Sequence, residues 1–234
     1  QVEQGLTLLG LVAIADPPRV ESTAAIEACK YAGIKVVMIT GDHPATAGAI
    51  AKELGILVPG MFDKVMTGVE LAAISQEELE KTVKHVAVYA RVSPEDKLRI
   101  VNAWKSHGSV VAMTGDGVND APALKAASIG ISMGKGGTEV ARQASSMILA
   151  DDNFSTIVSA VEEGRAIFGN IRRTIQYLLS GNLSEILVML GAAVAGWPAP
   201  LMPLHLLWIN LVTDGLPSLA LAAEPVPKDV LKNR

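Results

Sequence analysis

The chain has 234 residues, half of them apolar but only 4% aromatic, and a formal net charge of −4 from 24 acidic and 20 basic side chains. That acidic balance argues against a general nucleic-acid binder, and the single cysteine, Cys29, excludes an internal disulfide framework or a thiolate zinc cluster. The length suits one large domain or one domain with an appendage. Charge is unevenly spread: between Arg173 and Asp214 the one formally charged side chain is Glu185. With Gln1 in mid-pattern, no initiator Met and no signal peptide, the chain is expected to be a piece of a longer protein.

Up to about residue 151, short apolar runs alternate with amphipathic stretches. The pattern predicts a strand over 6–16, a helix over 20–32, a strand over 35–40 and helices over 44–54 and 76–84. It continues with a strand over 86–92, a helix over 94–106, a strand over 110–116, a helix over 121–127 and strands over 128–133 and 146–151. Several strands are near-continuous Val, Ile and Met, as expected where both faces of a parallel sheet are covered. Pro44 and Pro94 stand where a first helical turn begins, Gly33 and Gly55 where a helix ends. Alternating strands and helices predict a doubly wound α/β domain over residues 1–152.

From about residue 153 to 177 the pattern turns helical and amphipathic, then runs without a break into an apolar stretch over 174–196, followed by a second over 202–223. At 23 and 22 residues, each exceeds the roughly 20 needed to cross a ~30 Å hydrocarbon core. The connection Gly196-Trp197-Pro198-Ala199-Pro200 reads as a tight turn with Trp197 at an interface. Arg172 and Arg173 precede the first span, and Lys228, Lys232 and Arg234 follow the second, so both flanks are expected on the cytoplasmic side. The expected organisation is therefore a stalk helix over 153–173, a transmembrane hairpin over 174–223 and a cytoplasmic connector over 224–234. A buried hairpin of a soluble protein is the competing reading.

Three strings lie at strand-to-helix junctions, where ligands bind in open α/β sheets. Thr114-Gly115-Asp116-Gly117-Val118-Asn119-Asp120 offers two carboxylates four residues apart, suited to a hard cation such as Mg²⁺ beside a phosphate. Alternatively, Asp116 and Asp120 merely cap a helix. Thr40-Gly41-Asp42-His43-Pro44 offers a hydroxyl and free backbone N–H groups for phosphate oxygens, or a simple N-cap by Asp42. Arg91-Val92-Ser93-Pro94-Glu95-Asp96-Lys97 puts Lys97 near a helix start, as a clamp on a transferring phosphoryl group or a solvated lysine. A fourth string, Asp16-Pro17-Pro18-Arg19, reads by itself only as a rigid hinge. Gly134-Lys135-Gly136-Gly137 lacks the Ser or Thr of a nucleotide loop and reads as a surface turn.

Polar groups inside an apolar span are costly and usually functional. Asn182 and Glu185 are three apart, and Asn210, Thr213 and Asp214 fall at i, i+3 and i+4, so each set is expected on one helix face. Gly215 and Pro217 follow, loosening the helix so that backbone carbonyls join a site. Two carboxylates, two amides and a hydroxyl form an all-oxygen set, which favours Ca²⁺ among hard cations, with proton translocation through the two carboxyls as competing chemistry. A purely structural role, hydrogen-bonding the two helices together, is also open.

In this order and context the four strings resemble those of the P-type ATPases, cation pumps on the haloacid-dehalogenase-like fold. The resemblance implies a Rossmann-type parallel-sheet domain followed by a two-helix transmembrane hairpin, embedded in a multi-pass membrane protein. It implies Asp116 as a Mg²⁺ ligand supported by Asn119 and Asp120, and Thr40, Gly41 and Asp42 at the phosphate. Lys97 would neutralise phosphoryl charge, and Asp16 and Arg19 would form a hinge near bound ATP. Arg91 joins Asp16, Arg19, Thr40, Asp42 and Lys97 in the set expected to contact the nucleotide. The family's nucleophile, an Asp in an Asp-Lys-Thr-Gly-Thr string, does not occur in these 234 residues; it is expected upstream, so the fragment alone is expected to be inactive.

The strings Asn182-Leu183-Ser184-Glu185 and Asn210-Leu211-Val212-Thr213-Asp214-Gly215-Leu216-Pro217 narrow the resemblance to calcium pumps of the sarco/endoplasmic-reticulum type and their bacterial relatives. In those pumps the first helix supplies Asn and Glu, the second Asn, Thr and Asp. Pumps for Mn²⁺, Na⁺/K⁺ or H⁺, or a soluble phosphatase of the same fold, are the alternatives.

Overall fold

The computed structural model describes residues 7, 9–10, 17–60, 62–225, 227 and 229–232. The strand expected over 6–16 lies almost wholly outside them, as does Asp16. Downstream, α1 (Val20–Tyr31), α2 (Pro44–Glu53), α5 (Pro94–Ser106) and α6 (Ala121–Ala126) fall where the punctuation puts them. The helix expected over 76–84 is α4 (Gln76–Thr82) running into a 3₁₀ turn, Val83–His85. The strands are shorter than expected: β1 (Met38–Thr40), β3 (Val86–Ala90), β4 (Ala112–Gly115), β5 (Ile129–Met133) and β6 (Met147–Leu149).

Three elements were not expected: β2 (Lys64–Thr67), α3 (Gly68–Ala73) and α7 (Glu139–Ala144). Each is too short to show a period. Two carried a capping signal nonetheless. Thr67 and Glu70 form a reciprocal capping box, and the Thr138 hydroxyl accepts from the Ala141 N–H. Gly68 is required at the start of α3, because a Cβ there would lie 2.2 Å from the Arg91 carbonyl oxygen.

Among the described residues the strands pair in parallel, in two three-stranded sheets ordered β1-β3-β2 and β4-β5-β6. β3 is central to the first, and all five of its residues are buried. This Val-rich strand can lie there because helices cover both faces of its sheet. Ile39 of β1 packs against the cores of both sheets, so the hydrophobic interior is continuous. Parallel pairing sets the strand ends side by side: Thr40 and Thr67 both lie opposite Ala90, and Gly115 lies opposite Ser132.

From Phe154 to Val194 the chain forms one helix of 41 residues, α8, about 60 Å long at ~1.5 Å per residue. Phe154 packs into the cores of both sheets and Ile157 is buried beside it, so the head of α8 is part of the domain. Its far half exposes Leu179, Leu183, Ile186, Leu187 and Leu190. α8 ends in a Schellman turn, with Trp197 N–H donating to the Ala192 carbonyl and Gly196 at φ +68°.

The returning segment, expected over 202–223 as a helix loosened at Gly215 and Pro217, is already divided at Ile209. It comprises α9 (Pro203–Trp208), a π-helical turn (Ile209–Thr213) and α10 (Gly215–Ala222), the last packed along α8.

Leu79 of α4 is fully buried against Val86 and Tyr89. Leu79→Ala is expected to destabilise the α/β domain by about 2–5 kcal/mol, read as a lowered urea midpoint with an unchanged slope.

Candidate functional site

Three strand ends and one helix start carry the residues expected at the first site. After β4 the chain turns through Asp116 and Gly117 into a 3₁₀ turn, Val118–Asp120. The Asp120 carboxylate folds back, its Oδ2 accepting from the Asp116 N–H (3.2 Å) and the Gly117 N–H (3.1 Å). Gly115 makes this possible, since a Cβ there would come within 2.5 Å of the Asp120 Cβ. The other oxygen, Oδ1, pairs with Lys97 Nζ at 2.5 Å. Asp120 is thus the capping residue, while Asp116 caps nothing. The Asp116 side chain is exposed and has no hydrogen bond or ion pair to any other described residue. A free carboxylate beside exposed Asn119 fits a hard, oxygen-seeking cation such as Mg²⁺.

Lys97 is delivered by α5, whose start is fixed by Pro94 and by a capping box between Ser93 and Asp96. Desolvation pushes the Asp120 carboxyl up, but the Lys97 hydrogen bond and charge, with the Gly117 and Asp116 amides, outweigh it and hold the group below the usual carboxylate range.

At the end of β1 the Thr40 hydroxyl donates to Asp42 Oδ2 (3.0 Å) and accepts from the Asp42 N–H (3.1 Å). The residue that caps α2 is His43, whose Nδ1 accepts from the Ala45 N–H (3.2 Å), so Asp42 is not the cap. Gly41 and Asp42 are exposed. Arg91 follows β3 at φ +54°, with its side chain exposed. Arg19 precedes α1 and donates from Nη1 to the Asp152 carbonyl at 2.9 Å. The Gly134-to-Gly137 turn does more than connect, because its amides grip the Asp152 carboxylate. The signal available in sequence was its glycine density opposite the Asp151-Asp152 pair.

Among the described residues two stretches are long and apolar enough to cross a membrane, Phe154–Val194 (mean hydropathy 1.5) and Pro203–Ala222 (1.2), and 6% of each apolar window is buried. The five polar residues expected there do not converge on one point. Glu185 Oε2 accepts from Asn210 Nδ2 at 3.3 Å. Asp214, buried, lies elsewhere along α8, against Tyr177 (hydroxyl to Oδ1, 3.5 Å) and Gly181, where a Cβ would sit 3.0 Å from Oδ2. Asn182 and Thr213 are exposed. Glu185 Oε1 and Asp214 Oδ2 are both buried without a hydrogen-bond partner.

The π-helical turn holds Asn210 and Thr213 and ends on Asp214, whose N–H bonds the Ile209 carbonyl (2.9 Å). The loosening thus begins before Gly215 and Pro217, although Pro217 contributes by having no N–H for the Thr213 carbonyl. Such π-turns occur frequently at functional sites.

Residues 1–128 match the family of haloacid dehalogenase-like hydrolases. The chain belongs to that family. Residues 198–234 match the C-terminal region of cation transporting ATPases. A calcium-transporting ATPase of Bacillus subtilis is 57% identical over the whole chain, which covers 26% of that protein. A calcium-transporting ATPase of Yarrowia lipolytica is 47% identical over 99% of the chain and 25% of its own length. The chain thus spans about a quarter of the curated relatives it matches. Among solved structures, a zinc-transporting P-type ATPase in its E2·Pi state superposes with a TM-score of 0.61 at 30% identity, over 89% of this chain and 27% of that one. These matches cover the haloacid dehalogenase-like domain and the apolar helices alike, as the P-type resemblance requires.

The Lys97–Asp120 pair gives a pH prediction. Because Asp120 titrates lower when folded, its stabilisation is present above the unfolded value of ~3.9 and is lost as pH falls through the folded one. In Lys97→Met, desolvation is left less opposed. That variant is expected to unfold more easily than wild type at pH 7, with the gap narrowing as acid protonates Asp120, as measured by urea unfolding in magnesium-free buffer.

Proposed function

We propose that this chain is the section of an ATP-driven cation pump that holds the Mg²⁺ and phosphate groups of the phosphorylation site and two of the ion-binding helices, and that the transported ion is Ca²⁺. The observation carrying the ion reading is the pair of orphaned buried carboxylate oxygens, Glu185 Oε1 and Asp214 Oδ2, on helices apolar enough for a bilayer. A buried carboxylate without a partner is strongly unfavourable unless it is protonated or meets a cation. With the Asn182 and Asn210 amides and the Thr213 hydroxyl, the donors are all oxygen, the preference of Ca²⁺ rather than of zinc. Cys29, the one thiol, lies in α1 and not on these helices. The relatives named as calcium-transporting support the same ion.

In the α/β domain Asp116 would hold Mg²⁺, with Asn119 beside it and Asp120 shaping the loop. The ion would supply charge neutralisation at phosphate oxygens. Thr40 with the Gly41 and Asp42 amides would hold a phosphate oxygen. Lys97, stationed by Asp120, would face developing phosphoryl charge. Asp16, Arg19 and Arg91 complete the proposed nucleotide side. The nucleophile is supplied by the preceding part of the longer protein. Residues 1–152 and the stalk, 153–173, would be cytoplasmic, 174–223 would cross the bilayer, and 224–234 would return to the cytoplasm.

The decisive measurement is cation-stimulated ATP hydrolysis and phosphoenzyme formation by the full-length protein in vesicles, across Ca²⁺, Mn²⁺, Zn²⁺, Na⁺ and H⁺. Ca²⁺ is expected to stimulate, with Asp214→Asn and Glu185→Gln each raising the half-activating concentration at least tenfold and Asp116→Asn abolishing the phosphoenzyme. Unaltered Ca²⁺ activation in both membrane variants would sink the site assignment. Stimulation by another ion alone would keep the pump and replace its cargo.

A further inference from the structure

One carboxylate outside the groups assigned above is gripped by three backbone amides. Asp152 Oδ1 accepts from the Gly134 N–H (2.7 Å) and the Lys135 N–H (3.0 Å), and Oδ2 accepts from the Gly136 N–H (2.7 Å). Three successive amides aimed at one anion make a backbone nest, and here the anion belongs to the chain itself. Asp152 adopts φ +54°, a conformation that Asp tolerates better than most side chains. The nest is built to close range: a Cβ on Gly134 would lie 2.7 Å from the Leu149 carbonyl oxygen, and one on Gly137 2.1 Å from that of Met133.

The clasp is connected at both ends. The gripped turn leads directly into Thr138, whose N–H donates to the Asp116 carbonyl at 2.8 Å, so the turn sets the height of the Asp116 backbone. Arg142 closes the turn from behind, Nη1 to the Gly134 carbonyl at 2.9 Å. On the other side the Asp152 carbonyl receives Arg19, the hinge residue, and Asn153 caps α8 with its Oδ1 on the Ser155 N–H (3.0 Å). The turn beneath Asp116, the hinge arginine and the α8 cap therefore meet at Asp152, the first through its side chain, the second through its carbonyl and the third as its neighbour in the chain.

We propose that Asp152 is a positioning residue for the phosphoryl chemistry, fixing the turn that holds Asp116 and tying that turn to the head of α8. This rests on the pump reading given above. It differs from the roles assigned there because the bonds of Asp152 run to backbone groups and Arg19, and both its carboxylate oxygens are taken up by amides. Asp152→Asn replaces one acceptor oxygen with an NH₂ facing amide donors, and so opens the clasp at nearly constant volume.

The test uses the full-length protein in vesicles and two independent readouts. In hydrogen–deuterium exchange, Asp152→Asn is expected to speed exchange at Gly134, Lys135, Gly136 and also Thr138 at least tenfold, with α5 amides unchanged. In phosphorylation from ATP, the same variant is expected to raise half-saturating Mg²⁺ at least threefold and slow phosphoenzyme formation about tenfold, with equilibrium Ca²⁺ binding unchanged. Unchanged exchange at Thr138 overturns the link to Asp116. Faster exchange with wild-type Mg²⁺ dependence and rate overturns the positioning role, leaving a structural clasp. Should Asp152→Asn fail to fold, Gly136→Ala replaces it. Its Cβ would lie 3.3 Å from Asp152 Oδ2, and smaller shifts in the same directions are then required. A wild-type protein with no phosphoenzyme under any cation removes the pump reading and the positioning role with it, whereas a defect confined to the variant bears on Asp152 alone.

Discussion

An unbroken ladder of backbone hydrogen bonds from Phe154 to Val194 joins the α/β core to a segment apolar enough to cross a membrane. Every polar backbone group of α8 between its ends is satisfied within the helix, which is the condition for leaving an aqueous domain and entering hydrocarbon without a break. Its head is sealed into the α/β core by Phe154 and Ile157. Its tail carries Glu185 and lies against Asp214 through Gly181. Displacement of the head relative to the rest of the domain must therefore reach the buried carboxylates, because helices are stiff along their axes and packed interfaces deform little.

The two halves handle charge in opposite ways. In the α/β domain, the buried carboxylate, Asp120, is fully partnered by Lys97 and two amides, and the exposed one, Asp116, has no partner among the described residues. In the membrane half each carboxylate has one oxygen engaged and one buried and orphaned. A paired buried charge builds structure, whereas an unpaired one demands a ligand or a proton. Asp120 and Lys97 therefore shape a loop, whereas Asp116, Glu185 and Asp214 keep carboxylate oxygens without a partner among the described residues.

Much of this was legible in the residues. Pro94 after Ser93 marks the start of α5 to the residue, because a proline at the first helical position and a capping serine before it are local devices needing no tertiary help. The Thr114-to-Asp120 string announced a tight turn after a strand for the same reason. What escaped was what depends on distant partners. β2 exists because β3 offers it an edge, and α3 because Gly68 can approach Arg91; four and six residues are too few to show either by periodicity. The Asp152 clasp spans up to 18 residues, so Gly134-Lys135-Gly136-Gly137 looked like a plain turn. The register of the membrane residues was misjudged for a different reason. Counting i, i+3, i+4 assumes an α-helix, and the chain leaves that geometry at Ile209.

That departure separates the roles of the two membrane helices. α8 is continuous and rooted in the domain, while its partner is divided into α9, a π-turn and α10. A π-turn closes wider rings of weaker geometry than an α-helix and borders Asp214 directly. Pro217 removes the donor that would lock the Thr213 carbonyl, and that carbonyl instead sits 3.5 Å from the Tyr177 hydroxyl of α8. The segment able to change its backbone at low cost is thus the one carrying Asn210, Thr213 and Asp214, and it faces a helix that cannot. A site built between a rigid wall and a compliant one can alter its shape when the wall shifts, without either helix having to unfold. The stiffness of α8 and the π-turn opposite it are two halves of one mechanical requirement.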